Sequence, residues 1–158
     1  MENFIKRKRT SDEQWFKDVV YQLRHQEIWW ERVKLLLDRV KEATPNCIAQ
    51  YSLAPGGSGP GDQTANMALR RAEWQIEIDE KQNALKELDA AMSLLSDEQR
   101  TIIELRYIKD LRDWHIYDLG KIPAGKTLYY QLRDDAITVM AKYLGFLETA
   151  VKMRSTSA

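Results

Sequence analysis

The sequence predicts an all-α protein: a long antiparallel, coiled-coil-like helical hairpin followed by a helix-turn-helix bundle. Three observations carry that expectation. The stretches Phe16 to Val40 and Met67 to Leu95 place their seam residues at alternating steps of three and four, the spacing of a helical seam. Several of the seven Gly and four Pro crowd into the segment between them, which leaves the flanks free for long helices. The last third holds a short apolar helix, a Gly-ended turn and a longer helix with one apolar face, the order of a helix-turn-helix. The expected divisions are a basic tail over 1–10, the hairpin over 11–94 with a flexible Gly/Pro loop at about 44–62, the helix-turn-helix domain over 95–146 and a tail over 147–158.

The first long helix opens at Ser11-Asp12-Glu13-Gln14, a capping-box pattern in which Ser and Gln side chains satisfy backbone donors reciprocally. Its seam reads Phe16, Val19, Leu23, Gln26, Trp30, Val33, Leu37 and Val40. Pro45 is expected to stop it. The Gly-rich run at Ser52 to Asp62 lacks the Gly-Lys-Ser/Thr ending of a phosphate loop, so it reads as a connector. The second seam reads Met67, Arg71, Trp74, Ile78, Lys81, Leu85, Leu88, Met92 and Leu95. Folding the seams back on each other puts Val33 opposite Trp74, Trp30 opposite Ile78 and Phe16 near Met92. That register brings the polar breaks Gln26 and Lys81 level, as an antiparallel pair requires when a lone buried Lys is costly. Trp30 then belongs to the core and Trp29 flanks it, rather than the pair stacking on bases.

Beyond the hairpin, Ser96 to Gln99 is a second capping box. The helix it opens carries Ile102, Ile103, Leu105 and Tyr107 and breaks at Asp110 to Asp113. Trp114 to Gly120 makes about two turns, with Gly120 suited to the left-handed conformation that ends a helix. From Lys126 to about Tyr143 the chain reads as helix, with Leu128, Leu132, Ala136, Val139, Met140 and Tyr143 on its inner face. Adjacent Tyr129 and Tyr130 cannot both point inward, so one of them is expected outside.

Composition narrows the function classes. Lys plus Arg and Asp plus Glu are both 24, so bulk charge does not make this a nucleic-acid coat. A local basic face remains open, and Lys6-Arg7-Lys8-Arg9 is one candidate. The single Cys47 excludes an internal disulfide and a multi-thiolate metal site. His25 and His115 stand too far apart, without supporting ligands, for a metal centre. Asp134-Asp135 reads as a solvated helix face rather than a catalytic pair. No nucleophile–base pair is found, so the reading is non-enzymatic, without cofactor or metal. No apolar run approaches the roughly 20 residues that cross a bilayer, and a cytoplasmic protein is expected.

The residues of this last third also carry a resemblance. Leu95-Ser-Asp-Glu-Gln-Arg-Thr-Ile-Ile-Glu-Leu-Arg-Tyr-Ile108 resembles the opening helix of region 4 of bacterial sigma factors, and Trp114 to Gly120 with Ala136 to Met140 continue the match. The Asp-Trp-X-Ile-Tyr form, Tyr129-Tyr130 and the loop at Tyr51 to Ser58 are similar to the ArpU-like regulators of Gram-positive phages and prophages. The resemblance implies a transcriptional regulator of late phage genes for packaging and lysis, binding promoter DNA through a sigma-region-4-like fold. It implies double-stranded promoter DNA as a partner, with RNA polymerase as a further one, and a homodimer fits two linked modules.

The family's recognition helix maps onto Lys126 to about Arg133. Lys126, Thr127, Tyr130, Gln131 and Arg133 are then the candidate DNA-reading residues, since Gln pairs with adenine and Arg or Lys with guanine. Lys121 and Arg112 are candidates for phosphate contacts that set docking geometry. Two other readings remain open: a DNA-packaging protein like a small terminase subunit, and a structural helical protein without DNA binding.

Overall fold

A computed structural model describes residues 9–51, 62–120, 122 and 125–147. Among the described residues the chain is all-helical. A single 3-10 turn, Thr10–Asp12, precedes α1 (Gln14–Tyr51), α2 (Asp62–Ser93), α3 (Asp97–Ile103), α4 (Asp113–Asp118) and α5 (Lys126–Leu144). The basic residues Lys6 to Lys8, the Gly/Pro connector over 52–61, Lys121 and the C-terminal tail from 148 lie outside the described residues. No described helix is long and apolar enough to cross a membrane.

The start of α1 departs from expectation. Ser11 does not cap it; Ser11 sits within the 3-10 turn, and α1 begins at Gln14. The turn closes through Asp12, whose backbone N–H donates to the Arg9 carbonyl at 2.9 Å, while Asp12 Oδ2 accepts from the Arg9 N–H at 3.3 Å. Gln14 instead donates along its own helix to Asp18 Oδ1 at 2.9 Å. The far end departs as well, since α1 runs through Pro45 to Tyr51. Proline removes one N–H donor and crowds one carbonyl a turn earlier, a local loss that the ladder on either side outlasts here.

The chain divides into two compact units, Glu27–Lys86 and Met1–Gln26 with Glu87–Ala158. This division lies elsewhere than the expected boundary near Leu95. In the Glu27–Lys86 unit, Val33, Leu36 and Ile78 are buried together, with Val40 and Trp74 packed against them. Arg32 Nε and Nη2 reach Glu77 at 2.9 and 3.2 Å, and the Arg39 guanidinium lies 5.9 Å from the Trp74 ring centre. The contacts step forward along α1 as they step back along α2. Val33 and Trp74 share a cluster as the register predicts, but Trp30 is 51% exposed and Leu37 lies outward, with Leu36 inside. Lys81 is paired along its own helix, with Glu77 3.6 Å away.

The other unit is built on α5. Ala136, Ile137, Met140 and Ala141 bury against Phe16, Val19 and Leu23 of α1, Leu88, Ala91 and Met92 of α2, and Ile103 and Tyr107. This inner face is rotated from the predicted one: Leu128 and Tyr143 are 47% and 50% exposed. The capping box of α3 forms as expected. Ser96 Oγ accepts from the Gln99 N–H at 3.2 Å, and Gln99 Oε1 accepts from the Ser96 N–H at 3.1 Å, a cap contributing about 1 kcal/mol. After Ile103 the helix widens, with the Lys109 N–H donating to the Glu104 carbonyl at 2.9 Å. It ends at Asp110, in the left-handed region at φ 55°, where Asp is among the few side chains tolerated.

Candidate nucleic-acid interface

α4 and α5 meet α3 over a small core of their own. Ile102 and Leu105 pack with Ile116 of α4, Ile122 of the following turn and Tyr129 of α5. Gly120 takes φ 63°, so the predicted left-handed stop of the α4 segment is present. Gly125 precedes α5 without a side-chain cap. The first N–H groups of α5 are therefore not satisfied by a capping side chain, and such groups favour an anion.

Beneath this surface a polar network ties α4 to α5. Asp113, in the first turn of α4, accepts from the Tyr129 hydroxyl at 2.7 Å and from Arg133 Nη1 at 3.1 Å. Arg106 Nε lies 3.4 Å from the same carboxylate. Arg133 also binds Asp134 Oδ1 through Nε and Nη2, at 3.1 and 3.0 Å, and lies 4.9 Å from the Tyr130 ring centre. Burial pulls the Arg133 guanidinium down, but Tyr107 and the Asp134 and Asp113 carboxylates outweigh it and hold its pKa above the usual value. Burial likewise pushes the Tyr107 phenol up. Burial, followed by the hydrogen bond to Asp113, pushes the Tyr129 phenol up much further.

These shifts give alkaline pH a defined effect. A phenol whose folded pKa exceeds its unfolded value near 10 contributes stability that is complete below that value. The contribution is lost as pH rises through the folded pKa, at about 1.4 kcal/mol per pH unit for each such group. Urea unfolding at pH values above about 10 is expected to show this decline, and Tyr129→Phe to make it shallower. An unchanged slope in that variant would contradict the assignment.

The described site residues fall into three groups. Lys126, Thr127 and Gln131 are exposed on the first turns of α5, and Arg112 is exposed just before α4. Tyr130 is half-buried, packed on the small core, while Tyr129 is the tyrosine that points inward, 1% exposed. Arg133 is drawn into the protein: its side chain is only 12% exposed and carries two carboxylate partners. Its guanidinium is engaged within the network rather than displayed on the surface. Lys121 lies outside the described residues.

Asp113 was missed from the sequence. Its position opening α4 was visible, but its partners stand 16 and 20 residues away. Trp114 and Tyr117 were also missed as surface groups, at 62% and 42% exposed. With Lys126, Tyr129 and Tyr130 they line a cleft of about 260 Å³. Among the described residues, no group of His, Cys, Asp and Glu is arranged to hold a metal ion. The exposed groups offer hydrogen bonding, positive charge and aromatic surface at one helix end. Comparisons with protein-family models, curated proteins and solved structures return no significant match.

Proposed function

We propose that this chain is a DNA-binding transcriptional regulator of phage-type late genes for packaging and lysis. In this reading α4 and α5 act as a sigma-region-4-like helix-turn-helix, and the start of α5 enters the major groove. The observation that carries it is the exposed row Lys126, Thr127 and Gln131 on a helix end fixed from behind by Tyr129 and Ile116. Gln131 then selects a base edge, Lys126 a base or phosphate, and Arg112 a phosphate. α1 and α2 form the long antiparallel hairpin, with RNA polymerase a further partner implied by resemblance.

A homodimer is the state proposed. Ile28 and Leu35 on α1, and Leu69 and Ile76 on α2, are each seven residues apart and 45–63% exposed. Apolar positions repeated at that spacing suit a second helical face. Sedimentation equilibrium is expected to give a dimer for the parent and a monomer for Leu35→Lys/Ile76→Lys; a monomeric parent would refute the dimer.

The test of DNA reading is binding to duplex fragments from the protein's own genomic neighbourhood at two salt concentrations. Saturable, selective binding is expected, weakening with salt. Lys126→Ala/Gln131→Ala is expected to lose about 1–3 kcal/mol of discrimination for each bidentate pair removed. Equal affinity for all fragments in parent and variant would refute sequence reading by α5. A second reading, a helical protein that docks other proteins without binding DNA, is favoured by the exposed Trp114, Tyr117 and Leu128. Absence of duplex binding at low salt by folded protein would select it.

A further inference from the structure

Away from the first turns of α5, basic side chains gather at one recess. A cleft of about 490 Å³ is lined by Lys17, Tyr21, Arg24 and His25 of α1, by Arg106 after α3 and by Arg133 of α5. Among the described residues that line it, none is a carboxylate. Lys17, Tyr21 and Arg24 stand four and three residues apart, which puts them on one face of α1. The Tyr21 ring is 56% exposed and stacks on His25 with ring centres 3.9 Å apart, so the rim has an aromatic surface. Like charges collected in one concavity repel each other and attract an anion.

The protein's own carboxylates serve these cations unequally. Arg133 is held by Asp113 and Asp134 at 3.1 and 3.0 Å. Arg24 Nη2 and Arg106 Nη1 instead converge on a single oxygen, Asp110 Oδ1, at 3.6 and 3.8 Å. Both separations exceed hydrogen-bond length. The Asp110 side chain is 76% exposed, and an ion pair that open to water contributes little. Arg106 Nη1 also donates to the Leu111 carbonyl at 3.4 Å, an acceptor without formal charge. Arg106 Nε is buried with no hydrogen bond among the described residues. Two guanidiniums turned toward one distant oxygen have the arrangement that grips a phosphate, because each offers forked N–H donors to an oxyanion.

We propose that this cleft binds the phosphate group of a small ligand, with Arg24 and Arg106 gripping the oxyanion and Lys17 adding charge. The ligand takes the place that Asp110 holds weakly, and its organic part meets the Tyr21 ring. The volume of about 490 Å³ lies within the roughly 300–1,000 Å³ of small-molecule sites. A recess walled by side chains from three helical segments surrounds a compact anion more fully than the edge of a duplex. Lys126, Thr127 and Gln131 do not line it, so the site stands whether or not α5 reads DNA.

The experiment is an NMR titration of the full chain with inorganic pyrophosphate, followed at the arginine Nε–H signals. It compares the parent with Arg24→Gln, Asp110→Asn and, as an exposed cation outside the cleft, Lys142→Gln, all checked by circular dichroism. Asn, like Asp, tolerates the left-handed backbone at position 110, so that variant removes charge without adding strain. Saturable shifts at Arg24 and Arg106 are expected in the parent. Arg24→Gln is expected to weaken binding about tenfold, the effect of one charge-assisted hydrogen bond. Asp110→Asn is expected to tighten it about two- to fivefold, since the competing carboxylate is gone. Lys142→Gln is expected to bind as the parent does. The absence of a saturable shift at millimolar pyrophosphate overturns the site, as does equal weakening by Arg24→Gln and Lys142→Gln, or unchanged or weaker binding by Asp110→Asn. A short duplex that moves the Arg24 and Arg106 signals where pyrophosphate does not assigns the recess to the DNA backbone and overturns the small ligand.

Discussion

Ile137→Ala is expected to lower the free energy of unfolding by about 4 kcal/mol, within the usual span for emptying a buried branched site. Ile137 is 0% exposed and belongs to the cluster that joins α5 to α1, α2 and the end of α3. The loss combines the transfer of the deleted carbons with the cavity they leave, and helices held from several directions collapse little into it. Urea denaturation followed by circular dichroism measures the effect. A loss below about 1 kcal/mol would mean that the cluster is loosely packed. Any effect on DNA binding should follow the folded fraction, because Ile137 faces away from the proposed groove-reading residues.

The second large effect is expected at Asp113. Asp113→Ala removes the acceptor of the Tyr129 hydroxyl and one of the two carboxylates on Arg133. It leaves a mostly buried guanidinium with Asp134 alone, and breaking such a pair from one side costs about 3 kcal/mol. Much of that cost is the stranded cation, so Asp113→Ala/Arg133→Met is expected to recover a large part of it. Full additivity of the two substitutions would contradict the coupling. The same pair distinguishes the roles of α5 residues. If Arg133 acts only inside the network, the double variant keeps the DNA selectivity of the parent.

The sequence displayed those features whose partners lie within a turn or two. Ser96 and Gln99 are three residues apart, and their capping box formed as read. Gly120 was legible because few residues other than Gly adopt its conformation without cost. The seam of α1 was legible to Leu23 and then shifted, since Trp29-Trp30 and Leu35-Leu36-Leu37 offer an apolar side chain in either frame. Which of them turns inward is decided by packing, through Ile78 and Trp74.

The candidate site was legible to the same extent. Lys126, Thr127 and Gln131 point outward because helical position places them opposite the buried face. Arg133 was read among the groups opposite the apolar face, yet its side chain is turned into the network. It lies four residues from both Tyr129 and Ile137, on the buried side of the helix, and that spacing was the available signal. Its partner Asp113 belongs to another helix, and no local pattern names a partner 20 residues away. α5 carries two overlapping apolar rows, one through Leu128 and Tyr143 and one through Tyr129, Ala136 and Met140. In the second, Ala136 and Met140 pack with residues of α1 and α2, while Tyr129 packs on Ile102, Leu105 and Ile116.

The proposed contact of the first turns of α5 with duplex DNA is tested by a backbone amide NMR titration of the full chain with a selected duplex fragment. The largest shift changes are expected on Lys126, Thr127, Gln131 and Arg112, with Ile137 and Ile78 little affected. Changes confined to other surfaces, with these four unmoved at saturation, would contradict it.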